Sequence, residues 1–161
     1  MRLWDYRLLP YLDNIHIQGQ WRELLAIKGA IDKNGTPNHR LVNKVLDYNI
    51  QDFKDYTVLV ICEMQKRNIK FSKQRASEIA HWENNNFNNN RKYVVGELYT
   101  GWHNNKYLRQ CFFNLQEKFD CGIVSPEAWG KIVKYCILSK EIIELDYVLD
   151  LRTGEITFME D

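Results

Sequence analysis

Apolar positions recur every three to four residues along most of this chain, the period of an α-helix with one face buried. The first such stretch holds Ile17, Trp21, Leu24 and Leu25. Asp13 or Asn14 precedes it as a cap and Gly29 follows it as a stop, so a helix is predicted to run to about Lys28. The clearest helix covers residues 51–67. Its apolar stripe is Phe53, Tyr56, Val60, Ile61 and Met64, and Lys66 and Arg67 complement the dipole in its last turn. Ser72 caps a short third helix with Ala76, Ile79 and Ala80 inward and Trp82 near its end. Asn104 caps a fourth through Lys118, with Tyr107, Leu108, Cys111, Phe112 and Leu115 inward. Ser125-Pro126-Glu127 is a start signal in cap, proline and acid, and the helix behind it carries Trp129, Ile132, Val133 and Cys136. The period then changes to two. Leu145, Tyr147, Leu149 and Leu151 alternate, Arg152-Thr153-Gly154 turns, and Ile156 and Phe158 alternate back, the pattern of a terminal β-hairpin.

Two stretches interrupt the helices. Lys33 to Arg40, KNGTPNHR, is a loop marked by Asn34-Gly35 and Thr36-Pro37. The asparagine tract Asn84–Asn90 is a second, and Tyr93, Tyr99, Trp102, His103 and Tyr107 follow it. We read the second as an irregular loop packing its aromatics on the core, in preference to a surface that stacks on bases. The expected fold is therefore mainly α: a single compact helical domain over 1–161 with a small C-terminal β-hairpin. Within it, 1–83 form a helical core, 84–103 the Asn-rich and aromatic loop, and 104–161 two helices plus the hairpin.

The start, MRLWDYRLLPYL, is dense in apolar side chains, and Leu3, Trp4, Leu8, Leu9 and Leu12 are expected to pin it to the core. Chain termini ordinarily fray. A pinned one gives its amine a fixed position. An α-amine titrates near ~8, so burial or a neighbouring cation leaves much of it neutral and nucleophilic.

Composition adds three constraints. At 161 residues, with 45% hydrophobic and 27% charged, the chain suits one globular domain with a real core. The net charge of +1 hides an asymmetry: residues 1–92 carry 15 Lys and Arg against 10 Asp and Glu, and residues 93–161 carry 7 against 11. A basic first part suits a polyanion. No signal-like or membrane-length apolar run is visible, so a cytoplasmic protein with no membrane partner is expected. Cys62, Cys111, Cys121 and Cys136 lie far apart without a CxxC pair, so reduced thiols are expected and zinc is not.

The chemistry concentrates in GQWRE, Gly19 to Glu23, where Arg22 and Glu23 stand in an otherwise apolar stretch. They read either as a surface ion pair, worth little, or as a catalytic carboxylate beside a phosphate-binding arginine. His16, Gln20 and Glu23 share one side of the helix by their spacing. His39, between Asn38 and Arg40, reads as a solvated loop histidine or as part of a site. His81 and His103 are expected to carry no chemistry, and Lys66, Arg67 and Lys70 to be a solvated helix end.

MRLW at the start, HIQGQWRE at His16–Glu23 and CEMQKRNI at Cys62–Ile69 together resemble the pyrimidine dimer DNA glycosylase family (phage endonuclease V-like). A family segment HLMAEYRE aligns without gaps on His16–Glu23, and AECLKRGF is similar to Cys62–Ile69. The resemblance covers roughly residues 1–71. It implies a DNA repair glycosylase with abasic-site lyase activity that attacks a damaged nucleotide, expected to be an ultraviolet-induced pyrimidine dimer. The α-amine of Met1 would be the nucleophile, forming a Schiff base, and Glu23 would supply acid–base help and stabilise the cationic sugar. Arg2 and Arg22 would hold phosphates, His16 would stand near the site, and His39 matches more loosely. The implied partner is double-stranded DNA carrying a damaged base, bound by a monomer that is cytoplasmic and nucleoid-associated when bound. No cofactor and no metal are implied. This chain differs from the family pattern in having Ala26 where an arginine is expected and in ending on the acidic Phe158-Met159-Glu160-Asp161. The alternative class is a non-catalytic helical DNA-binding or protein-interaction module of the same fold. A further one is a lyase of the same mechanism acting on another lesion.

Overall fold

The computed structural model describes residues 2–138 and the strands at 147–149 and 156–158. The architecture is mainly helical, as the periodicity predicts. A 3₁₀ segment, Tyr6–Tyr11, is followed by α1 (Asn14–Asn34), α2 (Ile50–Lys66), α3 (Lys73–Ala80), α4 (Asn105–Asp120) and α5 (Pro126–Leu138). Strands β1 (Tyr147–Leu149) and β2 (Ile156–Phe158) pair antiparallel with Tyr147 opposite Phe158. The turn expected at Arg152–Gly154 lies outside the described residues. Among the described residues, no helix is long and apolar enough to cross a membrane.

Helix α1 runs past the expected stop. Ile27 and Ile31 continue its buried stripe beyond Gly29, which is exposed inside the helix. The chain leaves the helix only at Gly35, whose φ of 74° is left-handed and whose N–H bonds to the Ile31 carbonyl at 2.8 Å. Gly35, not Gly29, is therefore the stop: only a residue without Cβ adopts that conformation cheaply. Asp13 stands at the cap position but makes no side-chain cap bond. Its carboxylate instead accepts from the Ser125 amide at 2.8 Å, tying the start of α1 to the start of α5.

Helix α2 packs along α1 and buries Phe53, Tyr56, Val60 and Met64. Arg67, just past its end, is no solvated terminus. Its guanidinium donates to the carbonyls of Leu9 (3.2 Å), Pro10 (3.0 Å) and Leu12, and to the Glu63 carboxylate (3.2 Å). Those carbonyls close the 3₁₀ segment, which has no successor turn to satisfy them. In α3, Ile79 is buried but Ala80 is exposed, because the helix ends there and the next position points about 100° away.

The loop aromatics pack inward. Phe87 of the asparagine tract sits against Trp82 and Phe53, with ring centroids 5.3 and 6.1 Å away. Tyr99, Trp102 and Tyr107 are buried, which removes them as a base-stacking surface. His103 is buried among them, not at the edge of the core.

Candidate active site

The first residues of the chain have no regular structure to satisfy their backbone, so side chains from three helices do it. The amide of Arg2 donates to the Glu23 carboxylate at 2.8 Å. The carbonyl of Arg2 accepts from Gln20 Nε2 at 3.2 Å. The carbonyl of Leu3 accepts from the Tyr107 hydroxyl. The amide of Trp4 donates to Gln20 Oε1 at 3.0 Å, and its carbonyl accepts from the Tyr56 hydroxyl at 2.8 Å. Leu3 and Trp4 are themselves buried. The pinned start expected from MRLW is thus anchored on α1, α2 and α4. One turn further, Tyr6 donates its N–H to His103 Nδ1 at 3.2 Å. That bond assigns the imidazole proton to Nε2, which is buried without a hydrogen-bond partner among the described residues, in a ring flanked by Tyr99, Trp102 and Tyr107. Burial drives the His103 pKa down to about 3, so the ring is neutral and accepts this bond.

Beside this anchored segment lies a cleft of about 370 Å³. Its walls come from four places: Arg2 and Trp4 of the chain start, Ile15, His16, Gly19, Gln20 and Glu23 of α1, His39 and Leu41 of the loop after it, and Asn114 and Lys118 of α4. The helical period explains the α1 contribution: positions 15, 16, 19, 20 and 23 form one stripe. The structure therefore brings together Arg2, His16, Glu23 and His39. Met1 lies outside the described residues. Arg22 is exposed and does not line the cleft, because it falls at the outer edge of the stripe.

The electrostatics of the cleft are mixed. Glu23 is the one carboxylate among the lining residues, opposed by Arg2 and Lys118. The Arg2 guanidinium sits 5.7 Å from the Trp4 ring centroid. The His16 ring meets Trp4 edge-on at 6.2 Å, and its buried Nδ1 has no partner among the described residues. Burial pushes the His16 imidazole below its ordinary range, against the pull of Asp13 and with the help of Lys118. His39 Nδ1 is likewise buried without a partner among the described residues, and the His39 amide donates to Asn43 Oδ1 at 3.0 Å. Both histidines line the cleft beside Arg2, Glu23 and Lys118, so its walls are largely polar. Gly19 also borders it. A Cβ there would meet no atom within 4 Å, so packing does not demand glycine, yet glycine costs a mid-helix position about 1 kcal/mol against alanine. Its effect is to keep the cleft open.

Sequence reasoning placed Gln20 on the correct side of α1 but missed that it is a buried clamp; glutamine beside Trp21 and Leu24 was the available signal. It also missed Asn114 and Lys118, which no local pattern connects to Glu23.

These features define a helical protein with a carboxylate held at the chain start in a polar, cation-flanked cleft. The comparison with known families agrees over the segment that builds most of this cleft, since residues 1–77 match the model of the pyrimidine dimer DNA glycosylase family. No curated protein and no solved structure matches the chain.

Proposed function

We propose that this protein excises a damaged base from duplex DNA, a pyrimidine dimer in the first instance, and then cleaves the strand through a Schiff base on the Met1 α-amine. The observation that carries the reading is the 2.8 Å bond from the Arg2 amide to the Glu23 carboxylate inside the cleft. Met1 directly precedes Arg2 in the chain, and the proposal seats its amine beside the same carboxylate. An amine is the nucleophile this chemistry needs, because a hydroxyl cannot form an imine.

The neutral amine attacks C1′. A nitrogen–carbon bond forms as the bond from C1′ to the base breaks, and the base leaves with the electron pair and takes a proton from solvent. Glu23 accepts the proton that the amine sheds and returns it to O4′ as the sugar ring opens to the iminium. Positive charge develops on the sugar through these steps, and a carboxylate beside it stabilises that charge. Loss of a C2′ proton then sends electrons into the iminium and expels the 3′ phosphate, and water releases the enzyme. In this reading Arg2 and Lys118, the cations that line the cleft, hold phosphates around the reacting nucleotide. Arg22, outside the cleft, contacts a phosphate only at its rim.

Borohydride trapping tests the proposal with tag-free protein beginning at Met1 and duplexes carrying a cyclobutane dimer or an abasic site. The expected result is a covalent adduct on the Met1 amine with both duplexes, and cleavage lowered at least a hundredfold by Glu23→Gln. An adduct with the abasic duplex alone would keep the lyase and reject the dimer as substrate. DNA binding without any adduct would leave a binding module and remove the catalytic roles of Met1 and Glu23.

A further inference from the structure

The cleft does not end at Leu41. That exposed residue also borders a second groove of about 460 Å³, walled by Arg40, Lys44, Lys106, Asn104 and Gln110 above the ring of Trp102. No carboxylate lines this groove. Among the described residues, Arg40, Lys44, Lys106 and Lys118 take part in no ion pair. The Lys44 ammonium rests 5.7 Å from the Trp102 ring centroid, which holds it over the groove without neutralising it.

Helix α4 joins the two depressions. It supplies Lys106 and Gln110 to the groove and Asn114 and Lys118 to the cleft. These four residues are spaced by four, so they form one continuous ridge along the helix. At 1.5 Å per residue the ridge is about 18 Å long. The buried face of α4, Tyr107, Leu108, Cys111, Phe112 and Leu115, lies beside it. Glu117 and Asp120 of the same helix line neither depression. Two lysines and two amides along one row, joining a groove without a carboxylate to a cleft that holds a single one, complement a polyanion of regular spacing. One strand of B-form DNA presents a phosphate about every 3.4 Å along the axis, so the ridge spans about five.

The geometry points to α4 and the segment between α1 and α2 as the phosphate track of this protein: Lys106, Gln110, Asn114 and Lys118, with Arg40 and Lys44 opposite, seat the duplex backbone on one side of the reacting nucleotide. This rests on the proposed action on DNA and adds a binding surface whose α4 residues lie beyond the 1–77 family match. The amides fix register and the cations supply affinity, so the track binds without regard to sequence.

The test is the salt dependence of binding to an undamaged duplex, measured by fluorescence anisotropy for the full chain. Each phosphate contact contributes about 0.9 to the slope of log K against log salt. Lys44→Gln/Lys106→Gln is expected to lower that slope by about 2 and to weaken binding at least tenfold at low salt. Lys73→Gln/Lys134→Gln, at two exposed lysines of α3 and α5 outside both depressions, is the charge-matched control and is expected to leave the slope unchanged. Circular dichroism checks that the exposed substitutions leave the helices intact. An unchanged slope in the double variant, with the parent still binding and trapping DNA, would overturn the track and leave the cleft chemistry standing. An equal fall for Lys73→Gln/Lys134→Gln would also overturn it, by reducing the effect to overall charge. A parent that neither binds nor traps DNA would remove both the track and the proposed function.

Discussion

Replacing Gln20 with leucine, a residue of similar size, is the sharpest test of how the chain start is held. The glutamine is buried and makes three bonds: it accepts from the Trp4 amide (3.0 Å) and the Tyr56 hydroxyl (3.1 Å) and donates to the Arg2 carbonyl (3.2 Å). The Tyr56 hydroxyl keeps a second partner in the Trp4 carbonyl at 2.8 Å, so its loss is small. The Trp4 amide is buried with no alternative acceptor nearby, and an orphaned buried donor costs about 1–3 kcal/mol. The Arg2 carbonyl is partly exposed and recovers some hydration, so its loss is about 1 kcal/mol. The sum is about 2–4 kcal/mol, which for a chain of this size lowers Tm by roughly 5–15 °C. Because the same bonds set the position of Arg2 beside Glu23, borohydride trapping at an abasic site is expected to slow well beyond any loss of folded protein at the assay temperature. Denaturant melts and trapping rates, measured side by side at a temperature where both proteins are folded, separate the two effects. A variant that melts and traps like the parent would refute the clamp.

Two further outcomes follow from buried polar groups. His103 has its folded pKa lowered to about 3 by burial, against an ordinary value near 6.5. A depressed folded pKa means that the unfolded chain binds the extra proton, so stability is complete above pH ~6.5 and is lost as pH falls toward 3. Between pH 7 and pH 5 this one residue removes about 2 kcal/mol, and His16, lowered in the same direction, adds to it. Urea melts at the two pH values measure the difference; equal midpoints would contradict the assignment of a neutral, bond-accepting imidazole. Arg67→Gln strips partners from the carbonyls of Leu9, Pro10 and Leu12 and leaves buried Glu63 with only Lys66, so a loss of about 2–4 kcal/mol is expected in a thermal melt. A loss under 0.5 kcal/mol, the usual range for a surface substitution, would return Arg67 to the solvated helix end that its sequence context suggests.

The chain order by itself determined much of this protein. Apolar periodicity located every α-helix, because a stripe at helical spacing must be buried and local backbone geometry sets that spacing. Ser72, Asn104 and Ser125 were legible as caps because a cap acts within three residues of itself. The spacing within His16–Glu23 put His16, Gln20 and Glu23 on one side of α1 for the same reason, and all three line the cleft. Where two local signals competed, sequence was insufficient. Gly29 was the expected stop and Asn34-Gly35 only the mark of a loop, and burial of Ile31 against the rest of the core carried the helix on to Gly35.

What only the tertiary structure decided are the contacts that join residues far apart in the chain. Arg67 looked solvated because its partners lie more than fifty residues upstream. His103 looked idle because its acceptor role depends on Tyr6 at the other end of the core. Arg22 and Glu23 are neighbours in sequence, yet a 100° step around the helix sends one to solvent and the other to the chain start. The charge balance of the second half is acidic overall, and it concealed the cationic ridge of α4. Net charge sums over all faces of a helix, whereas a phosphate meets only one.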